Sequence, residues 1–151
     1  MDSIDRKIVA ALQRNGRLKI SELSGMVGLS PTPCARRVAS LEESGVISGY
    51  SARVDQAKLG LPVTIFVAVE LDRQSTEALS AFENAVRRFD QVMECYLMTG
   101  TRDILLRVVA EDLPDFDRFL EDKLMRVPGI RNTRSSFTLR TMIQRDALPA
   151  C

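Results

Sequence analysis

Two prolines placed two residues apart, Pro31 and Pro33, restrict the conformation of the chain around them. Proline has no backbone N–H, so it is tolerated in the first turn of a helix, where that donor is not needed, and it disrupts a helix interior. Ser30 comes immediately before the pair and is a residue type that favours the N-cap position. The stretch therefore predicts a helix that begins after Ser30, and Gly45 is its expected stop.

The residues of this helix divide into two faces. Successive residues of an α-helix are about 100° apart, which places Cys34, Val38 and Leu41 on one side. Their small or apolar character predicts that this side faces a core. The opposite side carries short polar groups around Arg36, so it is predicted to face solvent or a partner.

Two shorter helical patterns precede this helix, and β-type residues follow it. The first pattern stops at Asn15-Gly16 and the second at Gly28, where a left-handed backbone is useful. The residues around Ser48-Gly49 predict a small hairpin or wing. Three short helices with a tight turn before the third are typical of a winged helix-turn-helix. We therefore assign residues 1–50 to a domain of that kind.

A winged helix-turn-helix predicts double-stranded DNA as a partner. Its third helix enters the major groove with its N-terminal end leading, so Arg36 would donate to guanine edges or to a phosphate. Ser30, Thr32 and Arg37 suit phosphate contacts beside the N–H groups of the helix start. The residues predicted to contact DNA are Ser30, Thr32, Pro33, Arg36, Arg37 and Ser40. On the pattern alone, a packing or dimerisation module is the alternative.

The rest of the chain predicts a second domain that contains a sheet. Residues 51–62 have turn residues and little periodicity, so they are assigned to a linker or wing strand. Residues 63–151 then show a strand, a helix capped by Ser75, two strands joined near Gly100, a second helix and a last strand over about 131–144. This βαββαβ order is the ferredoxin-like plan. The predicted fold class is therefore α+β.

One face of the predicted sheet has no cover within the chain. Both helices of a βαββαβ unit pack on the same face, and the other face carries mixed apolar and polar groups. Pairing with a second copy covers that face most simply, so we expect an isologous homodimer. Two copies would also place two third helices on one DNA, which suits a pseudo-palindromic site.

The composition argues against an enzyme. The chain has no histidine, and its three cysteines lie far apart in sequence. It therefore lacks the commonest general base near neutral pH, Cys-His nucleophile pairs and imidazole zinc ligands. We expect no catalytic residue, no metal site and no cofactor. Two alternatives stay open: a metabolite-binding regulatory subunit of an enzyme whose front module docks on protein, and a small enzyme using Cys95 or the acidic residues of 111–122.

The sequence gives no sign of a membrane segment. No apolar run approaches the roughly 20 residues that span a bilayer. The N-terminus is charged from its second residue and has no cleavable apolar stretch. We therefore expect a cytoplasmic protein with no membrane partner.

The segment "LSPTPCARRVASLEESGVISGY", from Leu29 to Tyr50, closely resembles the helix-turn-helix of the leucine-responsive/asparagine-regulator (Lrp/AsnC) family of transcription factors. The opening "IDRKIVAALQRNGR" is similar to that family's first helix, and the resemblance covers nearly the whole chain. It implies a DNA-binding transcriptional regulator whose second domain binds an effector and forms oligomers. Members of the family form dimers, often assemble further into octamers, and bind amino acids between subunits.

The resemblance also points to an effector site near the second hairpin. An amino acid needs donors for its carboxylate, which the backbone of Gly100, Thr101 and Arg102 can supply, and an acceptor for its ammonium, such as Asp103 or a strand-end carbonyl. The predicted effector-binding residues are Tyr96, Met98, Gly100, Thr101, Arg102, Asp103 and Ser135. On the residues alone, a simple hairpin turn is the alternative. The family usually has an aromatic residue after the aspartate, whereas this chain has Ile104, so the effector's identity is not predicted.

Overall fold

The computed structural model describes residues 1–100 and 103–149, and the chain forms two compact units. The front unit consists of Met1–Arg53 together with residues 142–149, and the back unit consists of Val54–Thr141. Residues 1–50 and 63–141 therefore lie in separate units. The C-terminal segment groups with the front unit rather than with the rest of 63–151.

Three helices build the front unit: α1 (Ser3–Arg14), α2 (Ile20–Val27) and α3 (Pro31–Glu43). They share one core, to which each helix contributes buried apolar residues. The core residues are Ile8, Ala11, Leu23, Val27, Cys34, Val38 and Leu41. The prediction that Cys34, Val38 and Leu41 face inward is thus confirmed.

The turn between α2 and α3 depends on Gly28. This residue has a φ of 73°, a left-handed conformation that glycine adopts without steric cost. The conformation lets the Leu29 N–H donate to the Ser24 carbonyl oxygen at 2.9 Å. Ser30 then occupies the N-cap position with an extended backbone, and Pro31 is the first helical residue. The predicted helix start is confirmed.

The strands predicted for the wing are not formed. Residues 44–62, all of which the structure describes, form no strand, so the segment after α3 is an irregular loop. Gly45 and Gly49 both have positive φ, at 73° and 152°, which leaves too few regular residues between them to pair. Tyr50 instead folds back over Gly16, where an added Cβ would lie 3.1 Å from the tyrosine ring.

The C-terminal segment binds to α1 through hydrogen bonds between the Gln13 side chain and the Leu148 backbone. The Gln13 side-chain amide donates to the Leu148 carbonyl oxygen at 3.2 Å and accepts from the Leu148 N–H at 2.6 Å. Asp146, two residues before Leu148, forms an ion pair with Arg53 of the same unit. The Leu148 side chain itself remains largely exposed, so this attachment is polar rather than apolar.

The back unit has the predicted βαββαβ order. Its strands and helices are β1 (Val63–Leu71), α4 (Thr76–Val86), β2 (Val92–Leu97), β3 (Ile104–Ala110), α5 (Leu113–Asp122) and β4 (Ile130–Phe137). The four strands form one antiparallel sheet in the order β2-β3-β1-β4. A short 3-10 turn, Leu124–Arg126, follows α5. The predicted ferredoxin-like plan is confirmed.

Alternation along the strands separates the two faces of the sheet. Ile65, Val67 and Val69 of β1 are fully buried in a core that also contains Phe82 of α4 and Phe116 of α5. Side chains that alternate with these point to the other face, where Phe66 is 37% exposed but Ala68 and Val109 are buried and the Gln56 side chain donates to the Thr64 hydroxyl. Both helices thus pack on one face, as expected, while the linker covers part of the other, open face.

The last strand is shorter than predicted. It ends at Phe137 rather than near Gln144, and Leu139 is 99% exposed. Phe137 pairs with Ile65, and the Thr138 N–H donates to the Thr64 carbonyl oxygen. Pro62 precedes β1, so the partner strand has no further regular residues to continue the ladder.

Candidate functional sites

Helix α3 presents a polar face to solvent. Thr32, Arg36 and Ser40 succeed one another at helical spacing and are all exposed. Pro33 is partly buried beside them, and Ser30 is exposed at the N-cap. Burial raises the pKa of the Cys34 thiol on the opposite face, so this cysteine is a protonated core residue near neutral pH.

The start of α3 offers few backbone donors. Residues 31–33 supply a single N–H, that of Thr32, because Pro31 and Pro33 have none. The Cys34 N–H already donates to the Ser30 carbonyl oxygen at 3.2 Å. The Ser30 side chain makes no capping hydrogen bond, so its hydroxyl does not bind a backbone N–H of the helix. An anion at this helix start would therefore meet the Thr32 N–H and two hydroxyl groups rather than a ring of backbone donors.

Arg36 and Arg37 have different surroundings although they are adjacent. Arg36 is exposed on the outer face of α3. The Arg37 guanidinium lies against the N-terminus of α1, with Nη1 2.7 Å from Asp2 Oδ2 and 2.7 Å from Asp5 Oδ1. These two carboxylates raise the pKa of Arg37 further above its already high value. The structure thus separates a free arginine from one that is held within the unit.

Asp103 is buried at the start of β3 and is already bound by groups of the same chain. Its Oδ2 accepts the Leu71 N–H at 2.8 Å, and its Oδ1 accepts from the Gln74 side-chain amide. These bonds join the β2–β3 hairpin to the loop between β1 and α4. The sequence predicted that Asp103 accepts from the ammonium group of an effector. Both oxygens of this carboxylate already accept hydrogen bonds from donors of the same chain.

Of the other predicted effector residues, the structure describes Tyr96, Met98, Gly100 and Ser135. Met98 and Gly100 are exposed in the β2–β3 turn, where the Met98 N–H donates to the Asp103 carbonyl oxygen at 2.8 Å and Gly100 has a φ of 110°. Thr101 and Arg102 lie outside the described residues. The structure therefore brings Met98, Gly100 and Asp103 together in one turn.

Tyr96 and Ser135 do not share a face of the sheet. Tyr96 pairs with Leu105, which pairs with Ala68 on the open face. Ser135 pairs with Val67, which belongs to the core on the helix-covered face. Within one chain these two residues therefore face opposite sides of the sheet. The strand register decides this point, and the sequence pattern does not reveal it.

Glu94 and Arg107 form a charged pair on the open face next to Tyr96. Arg107 Nε lies 2.9 Å from Glu94 Oε2, and Arg107 Nη2 lies 3.1 Å from Glu94 Oε1. This two-point contact lowers the pKa of Glu94, and the Glu94 carboxylate raises the pKa of Tyr96. The sequence analysis did not predict this pair. Glu94 and Arg107 lie on neighbouring strands, and the strand register, which would have shown that they are paired, is not visible in the sequence.

A cavity of about 590 Å³ lies between α4 and the edge strand β2, and it was also not predicted. Phe82 and Val86 line it from the helix, and Cys95 and Leu97 line it from the strand. Burial, followed by the nearby Glu83 carboxylate, raises the pKa of the Cys95 thiol. A thiol of this kind is a poor nucleophile at neutral pH, so the cavity does not support the cysteine-enzyme alternative.

No metal-binding group was found in the part of the chain that the structure describes: residues 1–100 and 103–149 hold no cluster of three or more cysteine and acidic side chains suited to an ion. In the same residues, no helix combines the length and the apolar character needed to cross a membrane.

The two units together define a class of protein. A helix-turn-helix with an exposed polar third helix is typical of a DNA-binding protein, and here it is joined to a ferredoxin-like domain. A family model described as winged helix-turn-helix DNA-binding matches residues 1–48, and one described as Lrp/AsnC ligand binding domain matches residues 64–148. The chain belongs to the Lrp/AsnC family and is a DNA-binding transcriptional regulator rather than an enzyme.

Relatives along the full chain agree with this assignment. The Bkd operon transcriptional regulator of Pseudomonas aeruginosa is 42% identical over 149 residues, which cover 99% of this chain and 97% of that protein. The leucine-responsive regulatory protein of Escherichia coli K12 is 36% identical over 148 residues, covering 98% of this chain and 90% of that protein. The front and back units thus occur together in these relatives.

Solved structures show the same architecture. A transcriptional regulator of Neisseria meningitidis, crystallised as an L-Met complex, has a TM-score of 0.93 and 36% identity, with coverage of 99% of this chain and 96% of that chain. AsnC of Escherichia coli has a TM-score of 0.88 and 28% identity, with coverage of 96% of both chains. The α+β fold of a winged helix-turn-helix followed by a ferredoxin-like domain is that of these regulators.

Proposed function

We propose that this transcriptional regulator responds to an amino acid, which binds at the β2–β3 turn and changes the DNA affinity or the oligomeric state of the protein. The observation that carries the proposal is the likeness to the Neisseria regulator, which was crystallised with L-Met. The relatives are bacterial regulators of transcription, so we also propose that the protein acts in the cytoplasm, where bacterial DNA is located.

The geometry of the turn supports an amino-acid site. Gly100 has a positive φ of 110°, and backbone N–H groups in turns with such residues can form a site for an anion such as a carboxylate. The Asp103 carboxylate holds Leu71 and Gln74, so we assign the ammonium to a strand-end carbonyl oxygen rather than to Asp103. In this arrangement Asp103 keeps the turn and the β1–α4 loop in place for the ligand.

A complete effector pocket requires more than one subunit. Tyr96 and Ser135 lie on opposite faces of the sheet within one chain, so a pocket that contains both must take them from different copies. The open face carries Phe66, which is 37% exposed, beside the Arg107–Glu94 ion pair. We propose that a second copy covers this face in a homodimer, and that further assembly, up to an octamer, is what the effector changes.

We propose that the exposed side of α3 reads the major groove. Arg36, Ser30, Thr32 and Ser40 are all exposed, and in this proposal Arg36 contacts guanine edges or a phosphate while the three hydroxyl groups contact phosphates. Pro33 would contribute shape at the helix start. Arg36→Ala should therefore reduce the preference for a specific site and not only the overall affinity for DNA.

A thermal-shift panel with each of the common L-amino acids tests the effector proposal. A ligand that binds the folded protein must raise the melting temperature with its concentration. We expect one amino acid or a few related ones to do so, and we expect sizing by sedimentation velocity to show a changed oligomer with the same ligand. A panel without any shift would contradict an amino-acid effector.

A pair of glycine variants locates the site. Gly100→Ala strains the turn because its φ is 110°, whereas Gly60→Ala introduces the same kind of strain in the linker, where φ is 82°. Both variants should melt at a lower temperature, but only Gly100→Ala should lose the ligand-induced shift. An equal ligand shift in both variants would place the effector elsewhere.

A further inference from the structure

Two carboxylates at the N-terminus of α1 divide their oxygens between two tasks. Asp2 Oδ1 accepts the N–H groups of Ile4 and Asp5, both at 2.9 Å, and Asp5 Oδ2 accepts the Asp2 N–H at 2.9 Å. These bonds form a capping box that closes the helix start. The remaining oxygen of each residue, Asp2 Oδ2 and Asp5 Oδ1, contacts Arg37 Nη1 at 2.7 Å. One nitrogen of α3 is therefore held by both free oxygens of the α1 cap.

The arrangement leaves Arg37 unsuited to bind a phosphate. Its side chain is 34% exposed, and the Asp5 side chain is 16% exposed, so the cluster is partly shielded from solvent. Two carboxylates against one guanidinium give the cluster a net charge of −1. A phosphate that approached Arg37 in this position would meet two negative groups within hydrogen-bond distance of the same nitrogen.

The pKa directions agree with a permanently charged cluster. The Asp5 backbone N–H and the Arg37 side chain lower the pKa of Asp2, and the Asp2 backbone N–H and the Arg37 side chain lower the pKa of Asp5. Both carboxylates are therefore ionised at any pH near neutrality. The two contacts join residues that are 35 and 32 positions apart in sequence. They therefore connect α3 directly to α1, whereas the turn at Gly28 connects α3 only to α2.

We propose that Arg37 is a positioning residue, which ties α3 to the capped N-terminus of α1 and so fixes the orientation in which Thr32, Arg36 and Ser40 meet DNA. The inference rests on the proposed role of α3 as the reading helix. It changes the sequence-based prediction for Arg37, which assigned this residue to a phosphate. The adjacent arginines then have separate tasks: Arg36 contacts DNA, and Arg37 holds the helix that carries it.

Removing the charge of each aspartate distinguishes a phosphate-binding role of Arg37 from a positioning role, because the two roles predict opposite effects on DNA binding. If Arg37 served a phosphate, Asp2→Asn and Asp5→Asn would free it and raise the affinity for every duplex. If Arg37 positions α3, the same variants lower the preference for a specific site over a scrambled duplex by roughly fivefold, the upper range for a partly exposed ion pair. Asn is as good an N-cap as Asp, so Asp2→Asn keeps the α1 cap while it removes the charge.

The measurement is fluorescence anisotropy with full-length protein. One labelled duplex is enriched from a random-sequence library by the wild-type protein, and the other is its scrambled counterpart, with titrations at several salt concentrations. Glu43→Gln is the matched control, because it removes one negative charge from the exposed side of α3 and should change both affinities alike. Circular dichroism melts identify any variant that has lost its fold.

Arg37→Ala and its double variant complete the test. Loss of a phosphate contact reduces the slope of log affinity against log salt by about one, whereas loss of a positioning contact leaves that slope unchanged. We expect an unchanged slope with a reduced site preference, and we expect Arg37→Ala combined with Asp5→Asn to be no worse than Arg37→Ala alone. A slope reduced by about one, or aspartate variants that bind both duplexes more tightly than Glu43→Gln does, would overturn the proposal.

Arg36→Ala in the same titrations distinguishes failure of the inference from failure of the proposed reading helix. If Arg36→Ala retains full site preference, α3 does not read DNA, whatever the Arg37 variants show. If Arg36→Ala loses site preference while the Arg37 and aspartate variants keep it, α3 reads DNA and the positioning role alone is wrong.

Discussion

Helix α3 and the β2–β3 hairpin hold the two candidate sites, and they differ in how their residues are placed. The polar residues of α3 lie on one regular helix, so a single period determines which of them share a face. The candidate effector residues come from two strands and a turn, and the sheet register places Tyr96 and Ser135 on opposite faces. A site carried by one helix is therefore complete within a chain, whereas the site at the hairpin is incomplete.

The two sites also share one feature. In each of them, a charged residue expected to face a ligand is held by groups of its own chain. Arg37 contacts two carboxylates of α1, and Asp103 contacts Leu71 and Gln74. The comparison indicates that buried or half-buried charge at these sites supports the residues around it, so we expect the exposed neighbours to make the contacts with ligands.

The largest expected effect tests the sheet register. Leu106 is fully buried on the helix-covered face, so Leu106→Ala should lower the free energy of unfolding by about 2–5 kcal/mol. Leu105 is half-buried on the open face, so Leu105→Ala should cost about 1 kcal/mol and should weaken self-association. Urea denaturation and sedimentation velocity measure the two effects. A larger unfolding cost at Leu105 would mean that the register is shifted by one residue.

The next effect concerns the support that Asp103 gives to the hairpin. Asp103→Ala leaves the Leu71 N–H without its acceptor, which should cost about 1–3 kcal/mol of unfolding free energy. Asp103→Asn keeps one acceptor oxygen and should cost less. Asp117→Ala, an exposed aspartate on α5, is the matched control and should be nearly neutral. Urea midpoints that are the same for Asp103→Ala and Asp117→Ala would show that Asp103 is not a structural residue.

Two helix caps give a smaller effect that contrasts the front and back units. The Ser75 hydroxyl accepts the Ala78 N–H at 3.1 Å, so Ser75→Ala should cost about 1 kcal/mol. Ser30 makes no such bond, so Ser30→Ala should cost only a few tenths of that in stability while it weakens DNA binding. Thermal melts and anisotropy titrations of both variants separate the roles. A stability loss at Ser30 as large as that at Ser75 would indicate that Ser30 acts as a cap.

The smallest expected effect is a change in how the stability of the front unit falls at acidic pH. The pKa values of Asp2 and Asp5 are lowered in the folded state, first by each other's backbone N–H and then by Arg37. Their contribution to stability is thus present above about pH 4 and is lost as the pH falls through the lowered values. Arg37→Ala should make this loss shallower, because it brings both pKa values closer to the unfolded ones.

Tyrosine fluorescence can follow this acid transition in the front unit alone. The chain has two tyrosines and no tryptophan, so a Tyr96→Phe background leaves Tyr50 as the reporter. Melts of this variant with and without Arg37→Ala, between about pH 2 and pH 6, cover the range in which both carboxyl groups titrate. Identical pH dependence in the two proteins would show that Arg37 does not influence the aspartates.

Local rules predicted the front unit well because most of its structure is local. The Pro31 and Pro33 start, the Gly28 turn and the inward face of α3 all follow from residues within one turn of each other. The strand pairing predicted for the wing does not form, because Gly45 and Gly49, both with positive φ, interrupt the short β-type stretch. The partners of Arg37 lie 32 and 35 residues away, and no periodicity connects them.

The back unit shows the limit of the same rules. Alternation along β1 predicted its buried face, and the order of elements predicted the fold. The internal partners of Asp103 are 29 and 32 residues away, and the early end of β4 depends on where β1 starts. Both facts depend on tertiary pairing, which the sequence pattern does not contain.

The most direct test of regulation measures DNA affinity with and without the amino acid that raises the melting temperature most. We expect that ligand to change the dissociation constant for the enriched duplex by roughly 5- to 150-fold, and linkage requires the duplex to change the ligand's affinity by the same factor. Gly100→Ala should bind the duplex without responding to the ligand. DNA-binding curves that coincide with and without saturating ligand would contradict regulation of this protein by an amino acid.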